Sequence, residues 1–459
     1  MWFYAPTRVE VSPGAPYFKY TLGPTRIHRG FGFRYASRTQ REQAMKSAYG
    51  RQTPPPDYEL TCVEPGSPMG ELLRRYWQPV CPSDELKDLP KKVKLLGEEI
   101  VVFRNKKGHV GALEPHCAHR GASLEWGRIE EDGIRCCYHG WLYDVHGQCI
   151  DMPCETEEFR KKMDIWQEAY PTLEYGGLVF AYMGPPGTEP LFPMFDIVDT
   201  RYRSDVELRG MRVWGEYSAG YVKDCNWLQH YENIVDPFHL LQLHKAISGD
   251  QFVGAMMQGS PQISLEKTSL GVRYKFINDL PNGNRLLRFA ECVVPNVFLI
   301  PDIHVSPDEP RRQTRATELS WVVPIDNESM RGLSIVCWPL DADGKPREGW
   351  TPRTAAEIPE RVGSNTRRSY EARQRCPDDL EAQEGQRSIA IHALENLGPS
   401  DIGVAWLRQM LRDQVRRVQD GQDPMNIWRD PAANHKITTH AWNTVLTPEE
   451  TRAHHAEEI

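Results

Sequence analysis

Two short segments constrain this chain more than any others. Residues 115–121 read Pro-His-Cys-Ala-His-Arg-Gly, and residues 136–141 read Cys-Cys-Tyr-His-Gly-Trp. Cys117-x-His119 is followed, after sixteen residues, by Cys136-x-x-His139. Two Cys/His pairs on neighbouring loops can close around a compact metal centre. Two thiolates and two imidazoles also suit tetrahedral zinc. The glycines that follow the pairs, Gly121 and Gly140, argue against zinc. A cluster with thiolates on one iron and imidazoles on the other needs one of each from each loop. It also needs backbone N–H groups turned towards the sulfurs, which a glycine just after the ligands permits.

The pair of loops, with Arg120-Gly121 and Gly140-Trp141, resembles the Rieske [2Fe–2S] motif. The resemblance implies that Cys117 and Cys136 bind one iron and that His119 and His139 bind the other. Neutral imidazoles in place of two thiolates raise the cluster potential, and their titration links electron transfer to proton transfer. Cys137 and His116 adjoin the ligands without matching ligand positions and are read as packing or hydrogen-bonding residues. Eleven cysteines in 459 residues do not read as a disulfide framework. The isolated Cys62, Cys81, Cys292, Cys337 and Cys376 are read as buried thiols.

A Rieske domain needs only about a hundred residues, so the rest of the chain has further work. Asp236-x-x-His239-x-x-x-x-His244 places two histidines five apart. That spacing exceeds one helical turn, so a helix carrying both must break or loosen between them. Asp236-Pro237 is a helix-start pair, with Asp as N-cap and Pro at the first helical position. The expectation is a helix over about 226–235, a kink at 236 and a second turn carrying His239. The pattern reads as a 2-His-1-carboxylate facial triad, which holds iron on one side and leaves other positions open. It resembles the catalytic half of the Rieske oxygenases. In that family the aspartate of the D-x-x-H motif binds no iron; it hydrogen-bonds a ligand histidine and, across a subunit boundary, a histidine of the next cluster. Asp236 matches that place and would orient the imidazole. Asn226, Glu232 and Asn233 match the preceding polar residues only in outline and are read as structural. The carboxylate ligand must come from far along the chain. Asp378-Asp379-Leu-Glu-Ala-Gln-Glu-Gly385, then Leu397-Gly-Pro-Ser-Asp401, resembles the ligand helix of the phthalate-dioxygenase-like branch. That register selects Asp379 as the third iron ligand, with Asp378 as a cap or neighbour; Asp378 and Glu381 are the alternatives for the ligand.

The expected fold class is α+β: an N-terminal all-β domain, a small antiparallel barrel or sandwich, then an antiparallel sheet with helices that the resemblance makes helix-grip-like. The expected boundaries are 1–57, a basic aromatic extension; 58–190, the Rieske domain; 191–425, the mononuclear-iron domain; and 426–459, a tail. Lys94–Phe103 reads as two strands about Gly97, with a turn over Asn105–Gly108 and a return strand over Val110–Leu113. Val213–Val222 reads as a strand, strands recur between 262 and 340, and 378–396 and 401–419 read as helices. Residues 353–375 are polar. Residues 1–44 hold seven Lys/Arg against two acids, within a chain of net charge −8. An overall acidic balance disfavours nucleic acid as the partner. No run of some 18 apolar residues offers a membrane span, and the N-terminus lacks a secretory signal, so a cytoplasmic protein is expected.

The resemblance, over about 65–415, implies an oxygenase with a [2Fe–2S] cluster and a mononuclear Fe(II), using O₂ and electrons from a ferredoxin or flavin reductase. No nucleotide or flavin motif is present, so the reductant is another protein. The resembling branch acts mainly on aromatic carboxylates and aryl ethers and forms homotrimers or hexamers. O-demethylation of a lignin-type methoxylated aromatic carboxylate is the expected reaction; ring dihydroxylation or hydroxylation is the alternative. An electron carrier with an empty mononuclear site is the reading from a different class. Arg285, Arg288 and Arg315 are candidates to meet a substrate carboxylate, and Lys106 and Lys107 are candidates to dock an acidic ferredoxin.

Overall fold

Short segments of alternating polar and apolar residues separated by tight turns cannot bury themselves alone, and here they pair into antiparallel sheets. The computed structural model describes residues 7–9, 48–212, 222–249, 255–302, 305–308, 311–347 and 368–457. The strand expected over 213–222 lies outside them except for Val222, as do most of the extension 1–57 and of the polar stretch 353–375.

In the N-terminal half, Lys91–Leu95, Glu98–Arg104, Val110–Leu113 and Ala169–Tyr170 form one four-stranded sheet. Arg128–Ile129, Gly133–Arg135, Leu142–Asp144 and Cys149–Asp151 form a second. Val101, Phe103, Leu113, Leu124, Ile134, Trp141 and Tyr143 fill the space between them as one apolar cluster, which makes the domain a small sandwich. Gln78–Pro82, Leu178–Ala181 and Thr172–Tyr175 form a third sheet.

The C-terminal half is a ten-stranded antiparallel sheet. Thr7–Val9, Gln262–Lys267, Gly271–Asp279, Arg285–Val293, Val297–Leu299, Glu318–Pro324, Met330–Pro339 and Val206–Arg212 follow one another across it. Trp442–Leu446 pairs with Arg285–Val293 and carries Arg311–Arg315 on its other side. Three helices flank the sheet and shape its centre: α1 (Trp227–Ile234), α2 (Asp379–Glu384) and α3 (Ile402–Gln419). On α3, Val404, Leu407, Leu411, Val415 and Val418 are buried, the three-and-four spacing of one helical face. That face packs on the strands Gln262–Lys267 and Gly271–Asp279 and on the short helix Pro68–Leu73.

Three expectations need correction. The helix expected over 378–396 is only Asp379–Glu384; Gly385 caps it and Arg387 turns the chain at φ 86°. Residues 426–459 are not a detached tail. Trp442–Leu446 sits inside the large sheet, and Trp428 and Ile437 bridge to Leu191 and Phe195. Nor does the chain from 58 belong to the sandwich alone, since Arg412 of α3 forms ion pairs with Asp57 and Glu59. Among the described residues no helix is long and apolar enough to cross a membrane.

The apolar face of α3 fixes the sheet to the segment before the sandwich. Leu407→Ala, at a fully buried position, should destabilise the C-terminal half by about 2–5 kcal/mol, read as a lowered denaturation midpoint.

Candidate metal centres

The two cysteine–histidine loops are built on one plan. In the first, the N–H of Cys117 donates to the carbonyl of Ala122 at 2.9 Å and that of Gly121 to Cys117 at 2.8 Å. In the second, the N–H of Cys136 donates to Trp141 at 2.8 Å and that of Gly140 to Cys136 at 3.1 Å. Gly121 and Gly140 stand at φ 72° and 74°, a left-handed conformation that favours glycine. Cys117 and Cys136 are buried, whereas His119 and His139 are half-exposed. The imidazoles face each other with centroids 4.5 Å apart, and Trp141 stacks on His119 at 4.3 Å. A donor set with its sulfurs inside and its imidazoles at the rim fits a two-iron cluster.

Residues that no sequence pattern singled out hold these loops. The Gln167 amide donates to the carbonyls of Glu114 and His116 at 2.9 and 3.0 Å, and its oxygen accepts the Ala118 N–H at 2.7 Å. Arg135 donates to the carbonyl of Gly140 at 2.5 Å and to Asp151 and Glu130, each at 2.8 Å. Its guanidinium holds the Glu130 carboxyl down at about 2. The Tyr143 hydroxyl lies 3.0 Å from Cys117 Sγ. Burial, and then the neighbouring Cys117, push its pKa far up, so it stays protonated and offers its O–H to a thiolate at Cys117.

The second centre starts where α1 ends. Asn226 caps α1, accepting the Leu228 N–H at 3.1 Å. Val235 closes it, and Asp236 Oδ1 accepts the Phe238 N–H at 2.9 Å. A single α-turn, His239–Leu241, then passes into a π-helical stretch, Gln242–Ile247. A turn of i→i+5 bonding brings residues five apart over one another, so His239 and His244 share a face. The expected loosening is this change of helix type. Asp236 caps it through Phe238, which itself stands at the N-cap, rather than acting as N-cap for a helix opened by Pro237.

Asp379, at the start of α2, meets both imidazoles. His239 Nε2 lies 3.6 Å from its Oδ1 and His244 Nε2 lies 3.4 Å from its Oδ2. All three donor atoms fall within 4.8 Å of one another. His239 directs its Nδ1–H at the backbone carbonyl of Asp236, which leaves the Nε2 lone pair for a metal. Burial pushes the Asp379 carboxyl up. The His244 hydrogen bond and the charges of His239, His244 and Lys223 outweigh burial and hold it well below the usual carboxylate range. Such a donor set, two imidazoles and one ionised carboxylate on one side, fits a mononuclear iron.

Asp378 is the N-cap of α2, as expected, accepting the Asp379 N–H at 2.7 Å, and Glu381 accepts back from Asp378 to complete a capping box. Glu381 pairs with Arg368 and Arg373 at 2.8 and 2.5 Å, and it is Asp379 that converges with the imidazoles. Asn233, read as structural, instead donates to Asp379 Oδ1 at 3.0 Å. Behind Asp379, the fully buried Lys223 ammonium donates to Gln383 Oε1 at 2.7 Å and lies 3.0 Å from His230 Nδ1. Gln383 sits one helical turn after Asp379, a spacing visible in the sequence; Lys223 gave no signal there. Burial pushes the Lys223 ammonium pKa down and, with the Lys223 charge, the His230 imidazole well down.

The other candidates have found different roles. The Asp236 carboxylate is 3.8 Å from His239 Nδ1, so the histidine is oriented by the backbone carbonyl of Asp236, while the carboxylate stays about one-third exposed. Burial raises its pKa, with Asp401 adding to the rise. Glu232 forms a two-point ion pair with Arg408 at 2.5 and 2.7 Å. Arg285 pairs with Asp279 at 2.6 Å and Arg315 with Asp196 at 2.5 Å, which removes both as free receptors for an anion. Lys107 pairs with Asp132. His116 pairs with Glu114 at 2.7 Å, and Cys137 is exposed.

Comparison with known proteins matches residues 76–171 to the Rieske [2Fe-2S] domain. The chain is 40% identical over 387 residues to phenoxybenzoate dioxygenase subunit alpha of Ectopseudomonas oleovorans, covering 83% of this chain and 90% of that one. It is 38% identical to the tert-butanol monooxygenase / tert-amyl alcohol desaturase oxygenase subunit of Aquincola tertiaricarbonis, covering 79% and 77%. It is 31% identical to the 5,5'-dehydrodivanillate O-demethylase oxygenase subunit of a Sphingobium strain, covering 83% and 84%. Among solved structures, a caffeine-bound NdmA mutant of Pseudomonas putida superposes with a TM-score of 0.51 at 20% identity, covering 77% of this chain and 94% of that one. That likeness concerns the fold.

Two substitutions separate the centres. Asp379→Ala should leave the cluster's colour and EPR signal and remove the third iron per chain, read by metal analysis. Tyr143→Phe should keep the cluster and lower its midpoint potential by roughly 40 mV. That shift is about 1 kcal/mol for a lost hydrogen bond to sulfur, read by redox titration.

Proposed function

The chain belongs to the Rieske-type non-haem iron oxygenases, as a terminal oxygenase subunit with a [2Fe–2S] cluster and a mononuclear iron, and on that premise we propose that it oxygenates an aromatic carboxylate bearing an ether group. The observation that carries an oxygenase rather than an electron carrier is the convergence of His239, His244 and Asp379 in the same chain as the cluster loops. We assign these three as the ligands of the mononuclear iron, and Cys117, His119, Cys136 and His139 as those of the cluster. When bound, that iron supplies activation of O₂ with electrons delivered through the cluster from a separate ferredoxin or reductase.

The chain's own residues do the rest. Asp379 stays ionised and gives the anionic donor; His239 and His244 give the two imidazole donors, the first fixed by the Asp236 carbonyl. Asn233 and the Lys223–Gln383 pair hold the carboxylate and its helix in place. The part-exposed Asp236 carboxylate fits a junction with a neighbouring subunit's cluster histidine, in a ring of three or six chains. Eleven unpaired cysteines suit a reducing compartment, so a cytoplasmic protein is proposed.

Ether carboxylates are favoured by two relatives, whose names, phenoxybenzoate dioxygenase and dehydrodivanillate O-demethylase, each denote an aryl ether that carries a carboxylate. O-demethylation is the reaction expected from the sequence. One oxygen atom hydroxylates the methoxy carbon, the hemiacetal falls apart to a phenol and formaldehyde, and the other atom leaves as water with two electrons and two protons consumed. The 40% identity to a dioxygenase supports the second reading, in which one atom enters the ring at the ether carbon and the other at its neighbour, with two electrons and two protons consumed, and the resulting hemiacetal then expels the ether oxygen as an alcohol or phenol and leaves a catechol.

A screen of methoxy- and phenoxybenzoates with a surrogate reductase decides between these. Formaldehyde matched to O₂ uptake is the expected result. A diol with no formaldehyde overturns demethylation, and uptake only with aliphatic alcohols overturns the aromatic reading.

A further inference from the structure

Arg288 stands in the middle of the strand Arg285–Val293, in which every residue is buried. Its own exposure is 1%. Arg285 and Arg315, the other two arginines considered as receptors for a carboxylate, each pair with an aspartate. Arg288 has no carboxylate partner among the described residues. Its hydrogen bonds run from one terminal nitrogen, Nη1, to two neutral acceptors, the Asp302 carbonyl at 2.8 Å and Asn443 Oδ1 at 3.1 Å. Its Nε is buried without a partner. A guanidinium offers five N–H donors in a flat fork, so most of that fork is unspent. Burying a cation with no counter-charge costs several kcal/mol, and a fork with an open edge matches a carboxylate in two-point contact.

The strand register shows which way the fork faces. Arg288 lies opposite Phe276 on one side and Asn443 on the other. Directly paired residues share a face, and alternate residues of a strand do too, so Phe276, Leu286 and Ala290 flank the fork. Phe276 is paired in turn with Ile263, on the same face as Leu265, and Leu265 lies against Gly403 of α3 beside Val235, where α1 ends, so the fork stands on the face of the sheet that these helices cover. A hydrophobic wall with one unsatisfied cationic fork is the composition of a site for an amphipathic anion.

We propose that Arg288 receives the carboxylate of the substrate through its Nε edge and thereby selects aromatic acids over neutral aromatics. The proposal rests on the reading of the substrate as an ether carboxylate and adds the residue that enforces it.

The test compares 4-methoxybenzoate with 4-methoxybenzamide, a neutral analogue of the same shape. Dissociation constants are read from the substrate-induced change at the mononuclear iron, in wild type, Arg288→Gln and Arg288→Lys. Wild type should bind the acid more tightly. Arg288→Gln should weaken the acid by about 100-fold and leave the amide within a few-fold. Arg288→Lys keeps the charge without the fork, serves if the Gln variant does not fold, and should cost the acid about tenfold. Cluster absorbance and iron content check that each variant is assembled. Equal loss for acid and amide, or an undiminished preference for the acid in either variant, overturns the role of Arg288. Wild type that prefers the amide overturns the carboxylate reading itself.

Discussion

Two imidazoles five residues apart cannot point at one ion from a regular α-helix, where they stand on opposite-leaning faces. The chain resolves this by ending α1 at Val235, bonding Asp236 to the Phe238 N–H, and winding Gln242–Ile247 as a π-helix. Most of the catalytic half serves that local arrangement. The helix α2 must bring Asp379 from 140 positions after His239 to within 3.6 Å of it. The Asp378–Glu381 capping box fixes the start of α2, and the Gln383–Lys223 contact fixes its other end. The ten-stranded sheet is the floor beneath: Tyr231 of α1 donates to the carbonyls of Val293 and Val297 at 2.8 and 3.2 Å.

The sandwich has the opposite design. Its two sulfurs are buried and its two imidazoles lie at the rim, so charge that enters the cluster can leave on the histidine side. The loops are held by single side chains, Gln167 for one and Arg135 for the other. At the far centre the part-exposed carboxylate of Asp236 lies close to the ligand His239 while its backbone carbonyl orients that ligand. One residue thereby orients an imidazole through its main chain while its side chain stays part-exposed.

The cluster loops were legible because their chemistry sits within 25 consecutive residues, 117 to 141, and needs glycine at fixed places. The paired histidines were legible for the same reason. Asp379 was reached only by resemblance, since no local rule links it to His239. Asn233, Lys223, Gln167 and Tyr143 were not legible at all: their roles depend on which distant atoms folding brings within about 3 Å of them. The helix expected over 378–396 was overread because its polar residues have no competing signal before Gly385, and the tail was misjudged because a five-residue strand at the end of a chain carries little pattern of its own. The three arginines looked equal in sequence; only their neighbours distinguish them.

The most direct measurement is a single turnover. Protein reduced at both centres without oxygen, then freed of reductant and given no reductase, is mixed with O₂ and a methoxybenzoate. The account predicts phenol and formaldehyde approaching one per chain, with the reduced cluster's EPR signal lost in step. Oxidation of the cluster without product, or equal product from protein whose cluster was left oxidised, would contradict it.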